Sequence, residues 1–300
     1  MYVSFIEQRL VLLLIIKHHF TIKVKHEILL KICILIDMES RTDFEYIDIH
    51  SHLNLDPLYE NQDDMIGHMR ENHTAAVTVG VDLETSKRAI ELSEAYDLWA
   101  TVGLHPTDND KEVFDFEAYR ILAQHPEVVA IGECGLDYFR SQDPEMKKKQ
   151  EMLFREHIKL AREVGKPLMI HARPSKGTMD AYEDVLNILE NVPEAPKANF
   201  HFFVGNIEIA KRILAIGGTM SFDGPITFTK DYDEVIAFVP LESMHAETDA
   251  PFAAPVPFRG KTCEPWMVRE VVQRIAEIKQ LPLDQVKQQL KQNAISFFSF

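Results

Sequence analysis

The amino-acid sequence predicts an α/β protein, a TIM (β/α)8 barrel formed by a single domain with a short N-terminal extension. From residue 44 onward, short runs of β-forming residues alternate with longer segments of helical periodicity, which is the pattern of parallel strands joined by crossover helices. Eight strand-like runs are present, which favours a closed barrel over an open doubly wound sheet. We therefore expect residues 44–300 to form one barrel domain and residues 1–43 to form an extension outside it.

Each predicted element is defined by the spacing of its apolar residues and by the turn residues around it. The eight predicted strands cover residues 46–50, 75–81, 98–103, 128–132, 167–171, 198–203, 218–222 and 243–247. Amphipathic segments predict helices at residues 83–96, 144–164, 179–189, 266–278 and 284–298. In such a barrel the loops after the strands lie at one mouth, so residues at the strand ends are the candidates for a functional site.

Composition excludes several classes of function. The formal net charge of −15 argues against a protein that binds nucleic acid over a broad basic surface. A phosphate group would therefore have to be held locally. The three cysteines lack the paired spacing of a disulfide framework, which favours a reducing compartment, and we expect the protein to be cytoplasmic.

The extension contains an apolar run at residues 10–16. This run is too short to cross a bilayer, which needs about 20 residues, and no small-residue cleavage site follows it. The sequence therefore predicts neither a membrane anchor nor a signal peptide. We expect the extension to be non-native or disordered, and we expect translation to begin at Met38, just before the polar stretch that precedes the first strand.

Candidate metal ligands follow the first and fourth predicted strands. His50 and His52 are two residues apart at the end of the first strand, so both imidazoles can face the same side and reach one cation. Glu133 follows the fourth strand between Gly132 and Gly135, and a carboxylate with two oxygens can bridge two cations. Each motif is weak alone, because a His-x-His pair can arise by chance and Glu133 could be an exposed residue of an ordinary turn.

Four further candidates follow other strands. His171 and His201 lie in apolar runs, where a single histidine is more often a hydrogen-bonded core residue, but two at equivalent barrel positions reverse that preference. Asp249 follows the eighth strand, where it could close a ring of ligands beside His50 or cap a turn. His105 follows the third strand and could contact a substrate oxygen or donate a proton.

Taken together, these strings resemble the TatD family of metal-dependent deoxyribonucleases, within the amidohydrolase-like barrels. The resemblance runs from about Tyr46 to Phe298. It rests on an ordered set of motifs: His-x-His after the first strand, Gly-Leu-His-Pro, Gly-Glu-Cys-Gly-Leu-Asp-Tyr, Ile-His-x-Arg, Phe-His-Phe, Glu-Thr-Asp-Ala-Pro and Arg-Gly-Lys. The chain departs from the usual family motifs at Asn54, at residues 202–205 and at Cys263, but no candidate ligand is lost.

The resemblance implies a site for two divalent cations that share one carboxylate. The ligands of the first cation would be His50, His52, Glu133 and Asp249. The ligands of the second cation would be Glu133, His171 and His201. Imidazole and carboxylate ligands suit Zn, Mn, Co or Ni, and Mg less comfortably.

The expected function is hydrolysis of phosphodiester bonds in DNA, single-stranded or damaged, by metal-activated water. Asp249 would be the general base as well as a ligand, Glu133 would bridge the cations, and His105 and Arg173 would contact phosphate. Tyr138 would stack on a base. Two alternatives stay open: a metal-dependent ester or amide hydrolase, such as an aminoacyl-tRNA deacylase, and a metal-binding interaction protein without catalysis.

Overall fold

Eight parallel strands form one sheet in the computed structural model, which describes residues 44–108 and 111–300. The strands are β1 (Tyr46–Ser51), β2 (Thr74–Val79), β3 (Trp99–Val102), β4 (Val128–Asp137), β5 (Leu168–Arg173), β6 (Ala198–Phe200), β7 (Thr219–Phe222) and β8 (Met244–Ala246). Each strand pairs with the next along the chain. The predicted eight-stranded barrel is therefore confirmed. The predictions for residues 1–43 and for a start at Met38 lie outside the described residues.

Hydrogen bonds between the ends of β1 and β8 bring the two edges of the sheet together. Ser51 and Ala250 form an isolated parallel bridge. The backbone N–H of His52 donates to the carbonyl of Ala250 at 2.7 Å, and the N–H of Asp249 donates to the carbonyl of His50 at 2.9 Å. Because barrel closure pairs the edge strands, it also places the loops after β1 and β8 side by side.

Helices occupy most of the crossovers. The α-helices of the described residues are α1 (Gln62–Glu71), α2 (Leu83–Tyr96), α3 (Phe116–Ala123), α4 (Pro144–Val164), α5 (Asp180–Glu190), α6 (Ile207–Ala215), α7 (Asp233–Phe238), α8 (Val268–Lys279) and α9 (Leu283–Phe298). Asp82 and Thr85 form a capping box at the start of α2, and Asp143 caps α4 ahead of Pro144. Within residues 44–108 and 111–300, none of the helices combines the length and apolarity that a membrane crossing requires.

The hydrophobic core lies on both faces of the sheet. All residues of β2 and β4 are buried, because a barrel covers one face of each strand with interior side chains and the other face with helices. Phe154 of α4, Phe200 of β6 and Phe222 of β7 are among the largest fully buried side chains. This packing fixes the carboxyl ends of the strands relative to one another.

His245 on β8 is buried, and neither of its ring nitrogens has a hydrogen-bond partner in the described part of the chain. Its ring packs edge-on against Phe297 of α9, with 5.4 Å between the ring centroids. Burial lowers the pKa of His245 to about 3. The native state therefore excludes a proton that the unfolded chain binds below about pH 6.5.

We expect His245 to weaken the fold in acid. The free energy of unfolding decreases as the pH is lowered from the unfolded pKa of this group toward its folded pKa. Relative to neutral pH, the loss at about pH 5 is about 2 kcal/mol. Urea unfolding should show that His245→Phe loses about 2 kcal/mol less than wild type over the same pH interval. The matched control His73→Asn removes an exposed histidine and should behave as wild type does. Equal acid sensitivity of wild type and His245→Phe would contradict this account.

Candidate metal centre

Six side chains with metal-ligand chemistry meet at the carboxyl ends of the strands. They lie on β1, β4 and β5 and on the segments directly after β1, β6 and β8: His50, Glu133, His171, His52, His201 and Asp249. These are the six residues that the sequence singles out as candidate ligands. Their nitrogen and oxygen atoms form two clusters, and Glu133 belongs to both.

The first cluster joins β1 to the loop after β8. His50 Nε2 lies 3.3 Å from His52 Nε2, 3.5 Å from Glu133 Oε2 and 3.6 Å from Asp249 Oδ1. His52 Nε2 lies 3.3 Å from the same Asp249 oxygen and 3.7 Å from the same Glu133 oxygen. Four ligands at about 2.0–2.1 Å from a tetrahedral zinc ion lie roughly 3.3–3.4 Å from one another. The residues of the first cluster therefore fit a divalent cation.

The second cluster forms around the other oxygen of Glu133. Glu133 Oε1 lies 2.8 Å from His171 Nδ1 and 3.0 Å from His201 Nε2, and the two nitrogens are 3.4 Å apart. The two oxygens of Glu133 thus face different clusters, and this carboxylate is shared between them. Neutral imidazoles and carboxylates are the ligands that Zn, Mn, Co or Ni prefer.

His105 and Asp137 adjoin the second cluster. His105 Nε2 lies 3.4 Å from Glu133 Oε1, and His171 Nε2 lies 3.0 Å from Asp137 Oδ2. Together with His171 they form a further group that could hold a cation. A carboxylate bonded to the far nitrogen of a ligating imidazole fixes the orientation of the ring. Sequence reasoning gave Asp137 no role, although its even spacing from Glu133 along β4 was a usable signal.

Glycines in β4 allow Glu133 to occupy its position. Gly135 has a φ of +135°, and a Cβ atom there would lie 2.1 Å from the carbonyl oxygen of His171. Gly132 has a φ of +148°, and a Cβ atom there would lie 2.3 Å from the carbonyl oxygen of Met169. Only glycine adopts this backbone without strain, so both positions keep β4 close to β5. The glycines therefore determine how near Glu133 comes to the imidazole of β5.

Asp249 lies on a tight turn. Its φ of 55° is in the left-handed region, which aspartate tolerates better than most residues. Its backbone N–H is bonded to β1, and its carbonyl accepts a hydrogen bond from the N–H of Phe252 at 2.9 Å. These contacts hold the carboxylate beside His50 and His52.

The buried carboxylate of Glu247 contacts the second cluster on the side of His201 that faces away from Glu133. Glu247 Oε1 lies 3.3 Å from His201 Nδ1 and accepts a hydrogen bond from the N–H of Phe202 at 2.6 Å. Its other oxygen accepts a hydrogen bond from the hydroxyl of Ser221 at 2.5 Å. Glu247 thus presents the Nε2 atom of His201 to Glu133.

Asp48 supports the first cluster in a similar way. It is buried on β1 and accepts hydrogen bonds from the N–H and hydroxyl of Thr248, at 2.9 Å and 2.5 Å, and from the N–H of His50 at 3.2 Å. These bonds tie β1 to the residue before Asp249. Sequence reasoning missed Asp48 and Glu247, although each stands two residues before a candidate ligand.

The two ligand carboxylates remain ionised in this buried site. Burial opposes ionisation of Glu133, but the charges of His201 and His105 and their hydrogen bonds outweigh it and hold the pKa well below its ordinary value. Burial also opposes ionisation of Asp249, yet its hydrogen bond from His52 and the neighbouring imidazolium charges lower the pKa. Both groups are therefore available as anionic ligands.

Two neighbouring carboxyl groups behave in the opposite way. Burial raises the pKa of Asp48 well above its ordinary value, despite the hydrogen bonds from Thr248. Burial also raises the pKa of Asp223 well above its ordinary value, and the charge of Glu247 adds to this effect. Burial therefore disfavours ionisation of both groups.

Five of the six candidate ligands, all but His50, line a cavity of about 750 Å³. His105 and Arg173 line the same cavity, so the two predicted phosphate contacts lie beside Glu133 and Asp249. Arg173 has no carboxylate partner within residues 44–108 and 111–300, and its guanidinium packs 4.4 Å from the ring centre of Phe139. An unpaired guanidinium at a cavity wall is suited to bind a phosphate oxygen.

Tyr138 does not have the position predicted for it. Its side chain is 1% exposed, its hydroxyl donates to Asp184 at 3.0 Å, and Lys147 Nζ lies 3.9 Å above its ring. The prediction that this ring stacks on a base is therefore wrong for this structure. The cause is tertiary: the ring turns inward to pack between α4 and α5 instead of facing the cavity.

The model of the family described as TatD related DNase matches residues 47–299. The chain belongs to the TatD family. This TatD protein is 38% identical over 257 residues to the uncharacterized metal-dependent hydrolase YabD of Bacillus subtilis, covering 84% of this chain and 98% of the relative. It is 30% identical over 260 residues to the uncharacterized metal-dependent hydrolase MJ1582 of Methanocaldococcus jannaschii, covering 85% and 98%. The chain is thus a metal-dependent hydrolase of this family.

Solved structures show the same architecture. The TatD homologue YJJV of Escherichia coli K12 superposes with a TM-score of 0.76 at 27% identity, covering 85% of this chain and 98% of that one. A TatD-family hydrolase of Entamoeba histolytica superposes with a TM-score of 0.73 at 22% identity, covering 86% and 99%, and this likeness concerns the fold alone. The barrel of this TatD protein is therefore that of its family.

Gly135→Ala tests whether β4 positions Glu133. The added Cβ atom meets the carbonyl oxygen of His171, so β5 must move, and we expect a loss of stability of roughly 1–3 kcal/mol together with less bound metal. Gly67→Ala is the matched control, because no atom lies within 4 Å of the added Cβ in α1. That change should stabilise the protein by roughly 0.5–1 kcal/mol. Urea unfolding and elemental analysis would measure both effects; wild-type metal content in a folded Gly135→Ala protein would contradict the assigned role.

Metal affinity should increase with pH. Burial works against protonation of His52, His171 and His201, but their carboxylate neighbours outweigh it and raise the pKa of each. A cation binds only neutral imidazoles, so raising the pH removes competing protons, and affinity should rise about tenfold per pH unit for each imidazole deprotonated. Titration of the metal-free protein with Zn²⁺ between about pH 6 and about pH 8 would measure this. An affinity that does not change over this interval would refute the proton competition.

Proposed function

We propose that this chain hydrolyses phosphodiester bonds in DNA and that two divalent cations bound by the two clusters take part. The observation that carries this proposal is the shared carboxylate: Glu133 faces His50 and His52 with one oxygen, and His171 and His201 with the other. The family description, TatD related DNase, supports DNA as the substrate. We also propose that residues 44–300 form the metal-dependent hydrolase barrel, since every residue of the proposed site lies within this compact unit.

The charge of the proposed site answers the objection that the chain is acidic. Two divalent cations would bring four positive charges to a site whose anionic ligands are Glu133 and Asp249. The mouth would then be locally positive although the chain carries a net charge of −15. A phosphodiester would be bound at this one place rather than along a basic surface.

Asp249 is the residue best placed to take a proton from the attacking water. Its side chain is 15% exposed, whereas the side chain of Glu133 is 5% exposed. Its lowered pKa keeps it in the basic form at neutral pH. One carboxylate oxygen faces His50 and His52, so the carboxylate can serve as ligand and general base together.

His105 and Arg173 are proposed to hold the phosphate. Arg173 offers planar N–H donors that match phosphate oxygens. His105 Nδ1 is hydrogen-bonded to the hydroxyl of Thr107 at 2.7 Å, which fixes its ring with Nε2 toward the second cluster. Burial lowers the pKa of His105. When bound, divalent cations acidify water and stabilise negative charge on phosphoryl oxygens.

Asp249→Asn tests the role of Asp249. The amide keeps the shape of the side chain but cannot accept a proton, so we expect a folded protein whose turnover of single-stranded DNA falls by about 100-fold or more. The rate should be measured with saturating Mn²⁺ or Zn²⁺, and the thermal unfolding midpoint should be compared with wild type. Asp284→Asn is the control, because this side chain is 85% exposed and lies beside Lys287, which pairs with Glu45 at the opposite end of the barrel where β1 begins.

Undiminished turnover by Asp249→Asn would contradict its role as base. Hydrolysis that survives complete chelation would contradict the part given to the cations. A panel of single-stranded, double-stranded and damaged DNA, carboxylic esters and an aminoacyl-tRNA separates the nuclease from the other hydrolases. Turnover of an ester or amide without turnover of any DNA would overturn the proposed substrate, and binding without turnover of anything would identify an interaction protein.

A further inference from the structure

Exposed phenylalanines gather at the metal-binding end of the barrel. In the described residues, Phe139, Phe228 and Phe252 are between 39% and 53% exposed, and each lies on a loop after a strand. The remaining exposed phenylalanine, Phe238, ends α7 and precedes β8, at the opposite end. Exposed aromatic surface concentrated on the rim of a cavity marks a binding surface more than a random scatter of apolar residues does.

Two of the three rim phenylalanines carry an arginine on the ring. Arg173 packs at 4.4 Å over Phe139, and Arg259 packs at 3.8 Å over Phe228. Neither arginine has a carboxylate partner in residues 44–108 and 111–300. A guanidinium held flat on a ring keeps its N–H groups at the edge, where they can reach a phosphate. Two aromatic rings at this end of the barrel thus each carry a cation, and proteins that bind single-stranded nucleic acid combine these two kinds of group.

Phe252 differs from the other two because no described cation covers it. It lies three residues after Asp249, and the hydrogen bond from its N–H to the carbonyl of Asp249 fixes the turn. Its ring stands edge-on to the ring of His52, with 6.2 Å between the centroids, and it lines the same cavity as the ligands. A partly exposed aromatic ring therefore lies beside the first cluster.

We propose that Phe252 stacks on the base of the nucleotide whose phosphate lies at the metal centre and is held by Arg173, and that Phe139 and the Phe228–Arg259 pair contact neighbouring nucleotides. The proposal rests on the proposed nuclease function. A base within a duplex has both faces covered by its neighbours, so this contact requires an unpaired base. The substrate class is therefore single-stranded DNA or the frayed end of a duplex, and Phe252 takes the role that the sequence gave to Tyr138.

A double-mutant cycle on binding tests the stacking separately from cleavage. The parent is Asp249→Asn, loaded with Zn²⁺ and checked for bound metal by elemental analysis, and it should bind substrate with greatly reduced turnover. The ligands are a short oligothymidylate and a series of copies in which one position at a time lacks its base. Phe252→Ala should weaken binding of the intact strand by about 5- to 100-fold. For the strand that lacks the base contacted by Phe252, Phe252→Ala should weaken binding far less, because the base that would stack on the ring is already missing.

Two control variants sharpen the result. Phe238→Ala removes an exposed phenylalanine at the opposite end and should leave all affinities as in the parent. Phe252→Trp keeps an aromatic face and should restore tight binding. An equal penalty for Phe252→Ala at every abasic position, or no penalty at all, would overturn the stacking.

Cleavage by wild type and the coupling between Phe252 and a base are measured separately, so the results distinguish the stacking from the nuclease activity. Cleavage of DNA by wild type without coupling between Phe252 and any base overturns the stacking and leaves the nuclease intact. Coupling without cleavage by wild type supports the stacking and overturns the nuclease. Absence of strand binding by the parent overturns the stacking as well.

Discussion

The site depends on one buried carboxylate surrounded by imidazoles from different parts of the barrel. Glu133 lies within 3.7 Å of nitrogens of His50, His52, His105, His171 and His201. An ionised carboxylate costs several kcal/mol to bury unless it is paired, so its position and those of the imidazoles are mutually required. The pairing is possible because Gly132 and Gly135 let β4 lie against β5 closely enough for the carboxylate to face both clusters. A shift of β4 would therefore change the distance from Glu133 to every candidate ligand around it.

The surrounding carboxyl groups divide into two kinds with different functions. Asp137 and Glu247 accept from imidazoles and fix the nitrogen that each ring presents to Glu133. Asp48 bonds to backbone and hydroxyl donors and joins β1 to the turn of Asp249, and burial favours its neutral form. Both kinds of carboxyl group fix the geometry of the candidate ligands. A preformed ligand set loses less free energy on reorganisation when a cation binds.

Much of the fold and the ligand set could be predicted because both follow rules that act along the sequence. Continuous apolar runs indicated buried parallel strands, and barrel geometry then placed His50, Glu133, His171 and Asp249 at one mouth. What could not be predicted depends on tertiary packing. The roles of Asp137 and Glu247 require knowing which imidazole lies opposite, and Tyr138 turns inward because of Asp184, which is 46 positions away. The proposed stacking role of Phe252 likewise depends on the turn of Asp249 and on the position of His52, and neither can be predicted from the sequence.

The division between chemistry and recognition follows the division between strands and loops. The ligands lie at the ends of strands, whose positions the core fixes, whereas the rim phenylalanines lie on loops that tolerate change. Because the chain as a whole repels polyanions, affinity has to come from the few places where phosphate and base contacts coincide. Stacking on an uncharged ring supplies binding free energy without the basic surface that this chain lacks. Under the proposed function, this acidic barrel would bind a short unpaired stretch of DNA at the metal centre and would not follow the backbone of a duplex.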